Sequence, residues 1–374
     1  MKGKKWNIAI VLGFAGAFFG YLLWKEGPAQ LANTLRQADP RWLLLCLGLM
    51  VGYWVLEAGI LHLAVRRFYP AQRFSTTFHT AMVGQFFNCI TPFASGGQPM
   101  QACHMVVTGV PLGKASSALM MKFIIYQFVL TVYSGVTLIW KFSEFSAQVS
   151  GFSWLVLVGF GVNLAVILGL LGVCFASPKA KALGNWLIGK LARMGLVKDE
   201  AAARAFWEKE LDSFYQSFRS MGKSRGLVVQ MALLSAVQLT CFFLVPYGIF
   251  RSFGAAFGLG KGSALSMLAA EAFVLNVSSF VPLPGASGGA ELSFHAMFAM
   301  FFPSACLGIS VLLWRLFTFY LPILAGLRFV SRFRRENAGG EPGGPDAPSR
   351  EPDPQAVRLR LSAPRGKQPD RIQA

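Results

Sequence analysis

The chain has 374 residues, of which 54% are hydrophobic and 14% are charged, and its formal net charge at pH 7 is +18. Several apolar runs reach the roughly 20 residues that a helix needs to cross a bilayer, which excludes a soluble globular domain. The six cysteines lie in apolar segments without a paired or metal-ligating spacing, so we expect neither a metal site nor a bound cofactor.

The first apolar run, residues 7–24, follows three lysines. We interpret it as a retained helix with a cytoplasmic N-terminus, because it is long for a signal peptide and has no clear small-residue cleavage site. The next crossing is predicted at 42–65. It contains Glu57, and an ionisable side chain is costly inside a membrane.

Residues 75–110 are also apolar, but a break at 92–99 divides them into two pieces that are short for a crossing. Proline lacks a backbone donor and adjacent glycines lower helix propensity, so a helix is expected to end there. We predict two half-helices that form a re-entrant hairpin opening to the cytoplasm. Full crossings are predicted to follow at 115–140 and 154–176.

The longest polar stretch between apolar segments is 177–225, with ten Lys or Arg and five Asp or Glu. We predict that it is a cytoplasmic linker. Four large apolar residues at helical spacing predict an amphipathic helix within it, either lying on the inner membrane surface or packed over the bundle. They are Trp207, Leu211, Phe214 and Phe218.

The second half of the chain repeats this order. A crossing is predicted at 226–250, then a hairpin at 263–303 that breaks at 282–289, then a last crossing at 305–330. From residue 336 the sequence is rich in Pro, Gly and charge, which predicts a disordered cytoplasmic tail over 336–374.

These elements predict an all-α polytopic membrane protein, with six full crossings and two re-entrant hairpins in an integral membrane domain at 1–335. The halves, about 40–176 and 226–335, form an inverted repeat, because their hairpins enter from opposite faces. Segments placed in the cytoplasm hold 21 basic residues and external ones hold six, as the positive-inside rule expects. The basic charge is therefore a topology signal, and we expect no nucleic-acid partner.

The two breaks share a motif. Residues 92–97 read Pro-Phe-Ala-Ser-Gly-Gly, and residues 284–289 read Pro-Gly-Ala-Ser-Gly-Gly. Polar residues recur at nearly constant distance from each motif, which indicates a duplication, and matched helix breaks in two halves point to a transporter-type site. The recurring pairs are His79 with Glu271, and Lys122 with Arg315.

Lys122 and Arg315 are the main candidates for substrate binding, because cations inside membrane helices usually face a site or pathway. An arginine fork and half-helix N-termini both suit a phosphate-bearing headgroup. The structural alternatives are that Lys122 reaches to the interface and that Arg315 pairs with Glu57, Glu271 or Glu291.

The other candidate residues lie beside the breaks. Three roles are open for Glu271 and Glu291. They bind a coupling proton or cation, they contact an amine-bearing headgroup, or they serve as counter-ions for the two cations. Four glycines allow unusual backbone angles and close helix approach, and so shape the site. They are Gly96, Gly97, Gly288 and Gly289. The sequence has no P-loop or HExxH motif, so we name no catalytic residue.

Around the second break the sequence resembles the lysylphosphatidylglycerol synthase transmembrane region, a flippase-like integral membrane family. The matching residues are Pro282, Pro284, Gly285, Gly288, Gly289, Glu291 and Arg315. Ala286 stands where the family commonly has glycine, and Gln98 stands where its first half often has a carboxylate. The resemblance covers about 5–335.

The resemblance implies a role in moving lipid, since this region in bifunctional relatives is implicated in flipping aminoacylated phosphatidylglycerol. A separate domain performs aminoacyl transfer there and has no counterpart in this sequence, so we do not expect a lysyltransferase. The leading hypothesis is a translocase, or lipid-binding transporter-like protein, of a bacterial inner membrane, acting on an anionic or modified phospholipid or related envelope lipid. One alternative is a non-transporting accessory protein that partners an envelope or lipid-biosynthesis enzyme, for example one of hopanoid or glycolipid synthesis. The other is a membrane-embedded transferase.

Overall fold

The computed structural model describes residue 20 and residues 27–338, apart from 148–151, 176, 195–198, 260–261 and 280. The predicted first helix at 7–24, residue 20 excepted, and the predicted tail beyond residue 338 lie outside the described residues. The described part of the chain consists of helices and connections and contains no β-strand.

The helices are numbered here in chain order. The first seven are α1 Pro28–Arg36, α2 Pro40–Arg66, α3 Phe74–Ile90, α4 Gly97–Val107, α5 Leu112–Trp140, α6 Phe142–Ser146 and α7 Phe152–Phe175. The next four are α8 Ser177–Arg193, α9 Glu200–Lys223, α10 Arg225–Phe243 and α11 Val245–Phe253. The last are α12 Ala264–Ser278, α13 Gly289–Phe298, α14 Ser304–Arg315 and, after a π-helical turn at Leu316–Tyr320, α15 Leu321–Ala338.

Within the described residues, four helical segments are long and apolar enough to cross a membrane. They are Pro40–Arg66, Leu112–Trp140, Arg225–Phe253 and Ser304–Phe333. Each coincides with a crossing predicted from the sequence, so the chain is confirmed as an all-α polytopic membrane protein. The crossing predicted at 154–176 corresponds to α7, whose qualifying apolar stretch, Val158–Gly172, is shorter.

Two of these segments are interrupted where the sequence predicted continuous helix. Pro246 sits in the first turn of α11, where its missing N–H has no helical partner to lose. In the last segment, Pro322 follows the π-helical turn. A proline ring clashes with the carbonyl four residues earlier, here that of Thr318, and the wider turn relieves this clash. This turn begins directly after Arg315.

The predicted hairpins appear as helix pairs. α3 packs against α4, and α12 packs against α13, with a non-helical break inside each pair. In the second pair, α13 ends at Phe298, earlier than the residue 303 predicted. The side from which each hairpin enters, the total number of crossings and the global inverted repeat stay predictions.

The linker predicted at 177–225 forms α8 and α9, and α9 packs on both α5 and α8. Phe218 of α9 is buried in the apolar core, where burial of such a ring contributes roughly 1.5–3 kcal/mol. Gly113 of α5 lies directly under α9, where any side chain would meet the backbone of Glu210. The helix thus packs over the bundle, as one of the two predicted placements requires, and its position relative to the membrane surface stays a prediction.

A polar network that the sequence analysis overlooked ties α5, α7 and α12 together. Asn163 is bonded to Gln127, and it donates to Asn276 at 2.7 Å. Asn276 in turn donates to Ser134 at 3.0 Å. Buried amides in apolar helices need such partners, so these bonds fix how the three helices face one another.

Candidate functional site

The two predicted breaks adopt the same backbone turn. In the first break, Phe93 and Ala94 both have a φ of 52°, and in the second, Gly285 has 61° and Ala286 has 52°. Left-handed backbone at a residue other than glycine costs about 1–2 kcal/mol, so two such residues in succession are uncommon. The repeated sequence motif therefore corresponds to a repeated structural turn.

Side-chain and backbone bonds repeat as well, and the two turns contact each other. Ser95 Oγ donates to the Pro92 carbonyl at 2.9 Å, and Ser287 Oγ donates to the Pro284 carbonyl at 2.8 Å. The backbones at Pro92 and Pro284 form an antiparallel bridge. Because equivalent residues meet with opposite chain direction, the two turns are related locally by an approximate two-fold arrangement.

Gly285 differs from its counterpart Phe93 for a packing reason. Phe93 is 61% exposed. By contrast, the ring of Phe319 lies directly over Gly285 and occupies the space that a Cβ would need. The second turn therefore requires glycine for two reasons, its left-handed backbone and the ring above it.

Gly285→Ala is expected to destabilise the protein by about 1–2 kcal/mol for the left-handed backbone and about 1–3 kcal/mol more for the clash with Phe319. Gly258→Ala is the matched control, because Gly258 has φ +60° and nothing within 4 Å of its Cβ position. Unfolding of the purified variants in detergent measures both costs. Equal costs would show that the Phe319 contact does not constrain this turn.

The other predicted glycines also have local reasons. Gly288 has φ +85°, a backbone angle that other residues rarely adopt. At three of these glycines, a Cβ would overlap a side chain of the preceding segment. The absence of a Cβ therefore allows the two segments to lie close together. The contacts are Gly96 with Thr91, Gly97 with Asn88, and Gly289 with Val281.

Arg315 lies at the second break and is 5% exposed. Its Nε donates to Glu291 at 2.8 Å, and its Nη1 donates to the Gly285 carbonyl at 3.1 Å. The guanidinium also lies over the rings of Trp314 and Phe319, at 4.9 and 5.2 Å from their centroids. Its Nη2 is buried and has no hydrogen-bond partner among the described residues.

Glu291 has two roles in this arrangement. One carboxylate oxygen pairs with Arg315, and the other accepts the backbone N–H of Gly288 at 2.7 Å. The second bond satisfies a free donor at the start of α13, a position where negative charge is favoured. The ion pair therefore joins the start of α13 to the end of α14.

Glu271 lies on the neighbouring helix α12 and is 0% exposed. Its Oε1 accepts from Trp314 Nε1 at 2.9 Å, whereas its Oε2 has no hydrogen-bond partner among the described residues. Glu271 is thus linked to Arg315 through the adjacent tryptophan, and the two form no ion pair in the described structure.

Lys122 belongs to a second buried ion pair. Its Nζ bonds Glu57, whose other oxygen accepts from Gln238 Nε2 at 2.8 Å. The pair joins α2 to α5, and Gln238 adds α10. The sequence analysis considered Glu57 as a partner of Arg315, and the structure instead places it beside Lys122.

The start of a helix lies at each of the two breaks. α4 begins at Gly97 and α13 begins at Gly289, so each helix starts at its own break. A helix N-terminus carries roughly half a unit of positive charge, and α4 has no side-chain cap. Glu291 already offsets Arg315 and the start of α13, so the donors left for an anion are the uncapped start of α4 and Arg315 Nη2.

The structure brings together four of the predicted site residues, Arg315, Glu291, Gly288 and Gly289, with Glu271 next to them. It places Lys122 in a separate pair. Sequence reasoning missed Trp314 and Gln238, although both are polar side chains within apolar helices. A polar group inside an apolar helix is unusual, and this was the signal that could have identified both residues.

Comparisons with known proteins give one family and one relative. The model of the family described as "Lysylphosphatidylglycerol synthase TM region" matches residues 6–326. The chain is 28% identical over 313 residues to a "UPF0104 membrane protein" of Archaeoglobus fulgidus, a match that covers 79% of this chain and 87% of the relative. No solved structure matches the chain.

Proposed function

The chain belongs to the lysylphosphatidylglycerol synthase transmembrane region family, and from this premise we propose that it translocates a membrane lipid with an anionic or modified, phosphate-bearing headgroup. We place it in a bacterial inner membrane with both termini in the cytoplasm. The headgroup would bind where the two helix breaks meet, with Arg315 as its main contact.

The observation that carries this proposal is the geometry of Arg315. The guanidinium is fixed by Glu291 and Gly285 on one side, while Nη2 stays buried without a partner among the described residues. A buried donor left without a partner costs about 1–3 kcal/mol, and such a group in a native protein needs an explanation. A phosphate oxygen is a fitting acceptor, because the planar guanidinium suits phosphate.

The two turns supply the means of access. Nη2 is buried in the arrangement in which Pro92 and Pro284 are paired, and we infer that separation of the two breaks opens a path to it. Rocking of one half against the other around a fixed site is the usual motion in transporters built from repeats. Glu271 is the candidate for a coupling proton, because one of its oxygens is buried without a partner among the described residues.

The accessory role is favoured by a different observation. The surface of α8 exposes three large apolar residues at helical spacing, as an interaction surface would. They are Leu183, Trp186 and Leu187. In that case the protein would bind lipid and recruit an envelope or lipid-biosynthesis enzyme without moving lipid itself.

Purified protein in liposomes distinguishes these functions. A fluorescent phosphatidylglycerol is placed in both leaflets, and a reductant added outside bleaches only the label that reaches the outer leaflet. A translocase is expected to allow nearly complete bleaching, whereas protein-free liposomes stop at about half, the outer-leaflet share, because charged headgroups do not cross hydrocarbon readily. Bleaching that stops at the protein-free level for anionic and modified lipids alike would favour the accessory role.

A further inference from the structure

A second cluster of cations lies away from the helix breaks. It lines an open cleft of about 770 Å³ between the end of α2 and the surface of α9. The lining residues are Arg67, Asp212, Tyr215, Gln216, Arg219, Ser220, Lys223 and Ser224. None of them belongs to the predicted lipid site.

The cleft is built by helical spacing on α9. Positions 212, 216, 219 and 223 recur every three or four residues, so they share one face of the helix. Arg67 approaches that face from α2, whose membrane-crossing segment ends at Arg66. Arg67 directly follows this segment, so a crossing by α2 would hold the cleft at the depth of the lipid headgroups.

The charge of the cleft is strongly positive. Arg67, Arg219 and Lys223 are exposed, and none of the three forms an ion pair within the part of the chain that the structure describes. The one carboxylate, Asp212, is already paired with Lys181 at 2.6 Å. The cleft is therefore lined by three cations without an ion pair among the described residues and by one carboxylate that already has a cation, which gives it a net positive charge.

Hydroxyl groups complete the lining. Tyr215 lines the cleft and is buried. Ser220 and Ser224 add two more hydroxyls. Cations with hydroxyl donors are the usual composition of a site for phosphate oxygens.

The cleft is held by rigid elements. α9 is fixed to α5 by the close approach at Gly113 and by the buried Phe218. The cations therefore extend from a fixed helix face, which lowers the entropy lost when they bind a ligand.

We propose that this cleft binds a phosphate group, and its depth assigns that phosphate to the headgroup of an anionic phospholipid at the membrane surface. The proposal does not depend on translocation, because the cleft shares no residue with the site at Arg315. A lipid held here would fix α9 against the bilayer.

The test uses purified full-length protein in nanodiscs of phosphatidylcholine with a minority of phosphatidylglycerol, and counts retained phosphatidylglycerol by native mass spectrometry. A parallel titration adds inorganic phosphate to protein in nanodiscs of phosphatidylcholine alone. The cleft variant is Arg67→Gln/Arg219→Gln/Lys223→Gln. The matched control removes three exposed cations elsewhere on α8 and α9, as Lys190→Gln/Arg193→Gln/Lys209→Gln.

The cleft variant is expected to retain phosphatidylglycerol about tenfold less well than wild type, while the control is unchanged. Inorganic phosphate binding that only the cleft variant loses would support the site with free phosphate as its ligand. If the cleft variant and the control behave alike, or wild type binds neither probe, the proposal is wrong. Unfolding temperatures of both variants confirm that all proteins compared are folded.

Discussion

Arg315→Gln is expected to abolish headgroup translocation and to lower stability by about 3–5 kcal/mol, because the variant leaves Glu291 buried without its cation. Glu291 is 2.8 Å from Arg315 and is itself buried, so water cannot replace the lost partner. Unfolding in detergent measures the stability, and the liposome assay measures translocation.

The double variant Arg315→Gln/Glu291→Gln separates these two effects. Glutamine at position 291 still offers an oxygen to the Gly288 N–H, and it carries no charge, so most of the stability is expected to return. Translocation is expected to stay at the protein-free level, because no cation then faces the headgroup. Wild-type translocation by the double variant would make Arg315 a structural counter-ion only.

Lys122→Met is the second change with a large expected effect. It removes the cation from Glu57, which would stay buried with neutral amide partners such as Gln238, so a loss of about 3–5 kcal/mol is expected. Lys122→Met/Glu57→Gln removes both charges and is expected to recover most of this loss. The measurement is again the unfolding of purified protein in detergent.

Translocation by that double variant decides what Lys122 does. Lys122 is in a separate pair with Glu57 and, unlike Arg315, has no buried donor without a partner, so we expect the double variant to move lipid nearly as well as wild type. Loss of translocation in this stable variant would instead establish the headgroup contact that the sequence predicts for Lys122. Failure to recover stability would contradict the assignment of Glu57 as its partner.

The long helices and their breaks were predictable because both depend on local sequence. Apolar runs of sufficient length define the crossings at 42–65, 115–140, 226–250 and 305–330. The break before Gly97 follows from proline and glycine chemistry, which acts within a few residues. The repeated motif further predicted that the two breaks are equivalent. The structure agrees at the backbone, because both breaks have two successive residues with positive φ.

The pairing of charges was not predictable, because it depends on which helices are neighbours. The sequence left three partners open for Arg315, and only the packing of α13 against α14 selects Glu291. Glu57 could be assigned to Lys122 only once α2 and α5 were known to be in contact. The bridge between Pro92 and Pro284 joins residues far apart in sequence and has no local signal.

The π-helical turn after Arg315 is an intermediate case. Pro322 signals a disturbed helix, but proline alone does not specify whether the helix ends, kinks or widens. Thr318 compensates by donating to the Trp314 carbonyl at 2.7 Å, which keeps the disturbed backbone satisfied. That bond is visible only in the structure.

Native mass spectrometry of the gently purified protein tests the central claim most directly, comparing wild type with Arg315→Gln/Glu291→Gln. We predict that wild type retains a specific anionic lipid that the double variant loses, while any lipid in the cleft at Arg67 is kept by both. The same anionic lipid retained equally by both proteins would contradict a headgroup site at Arg315.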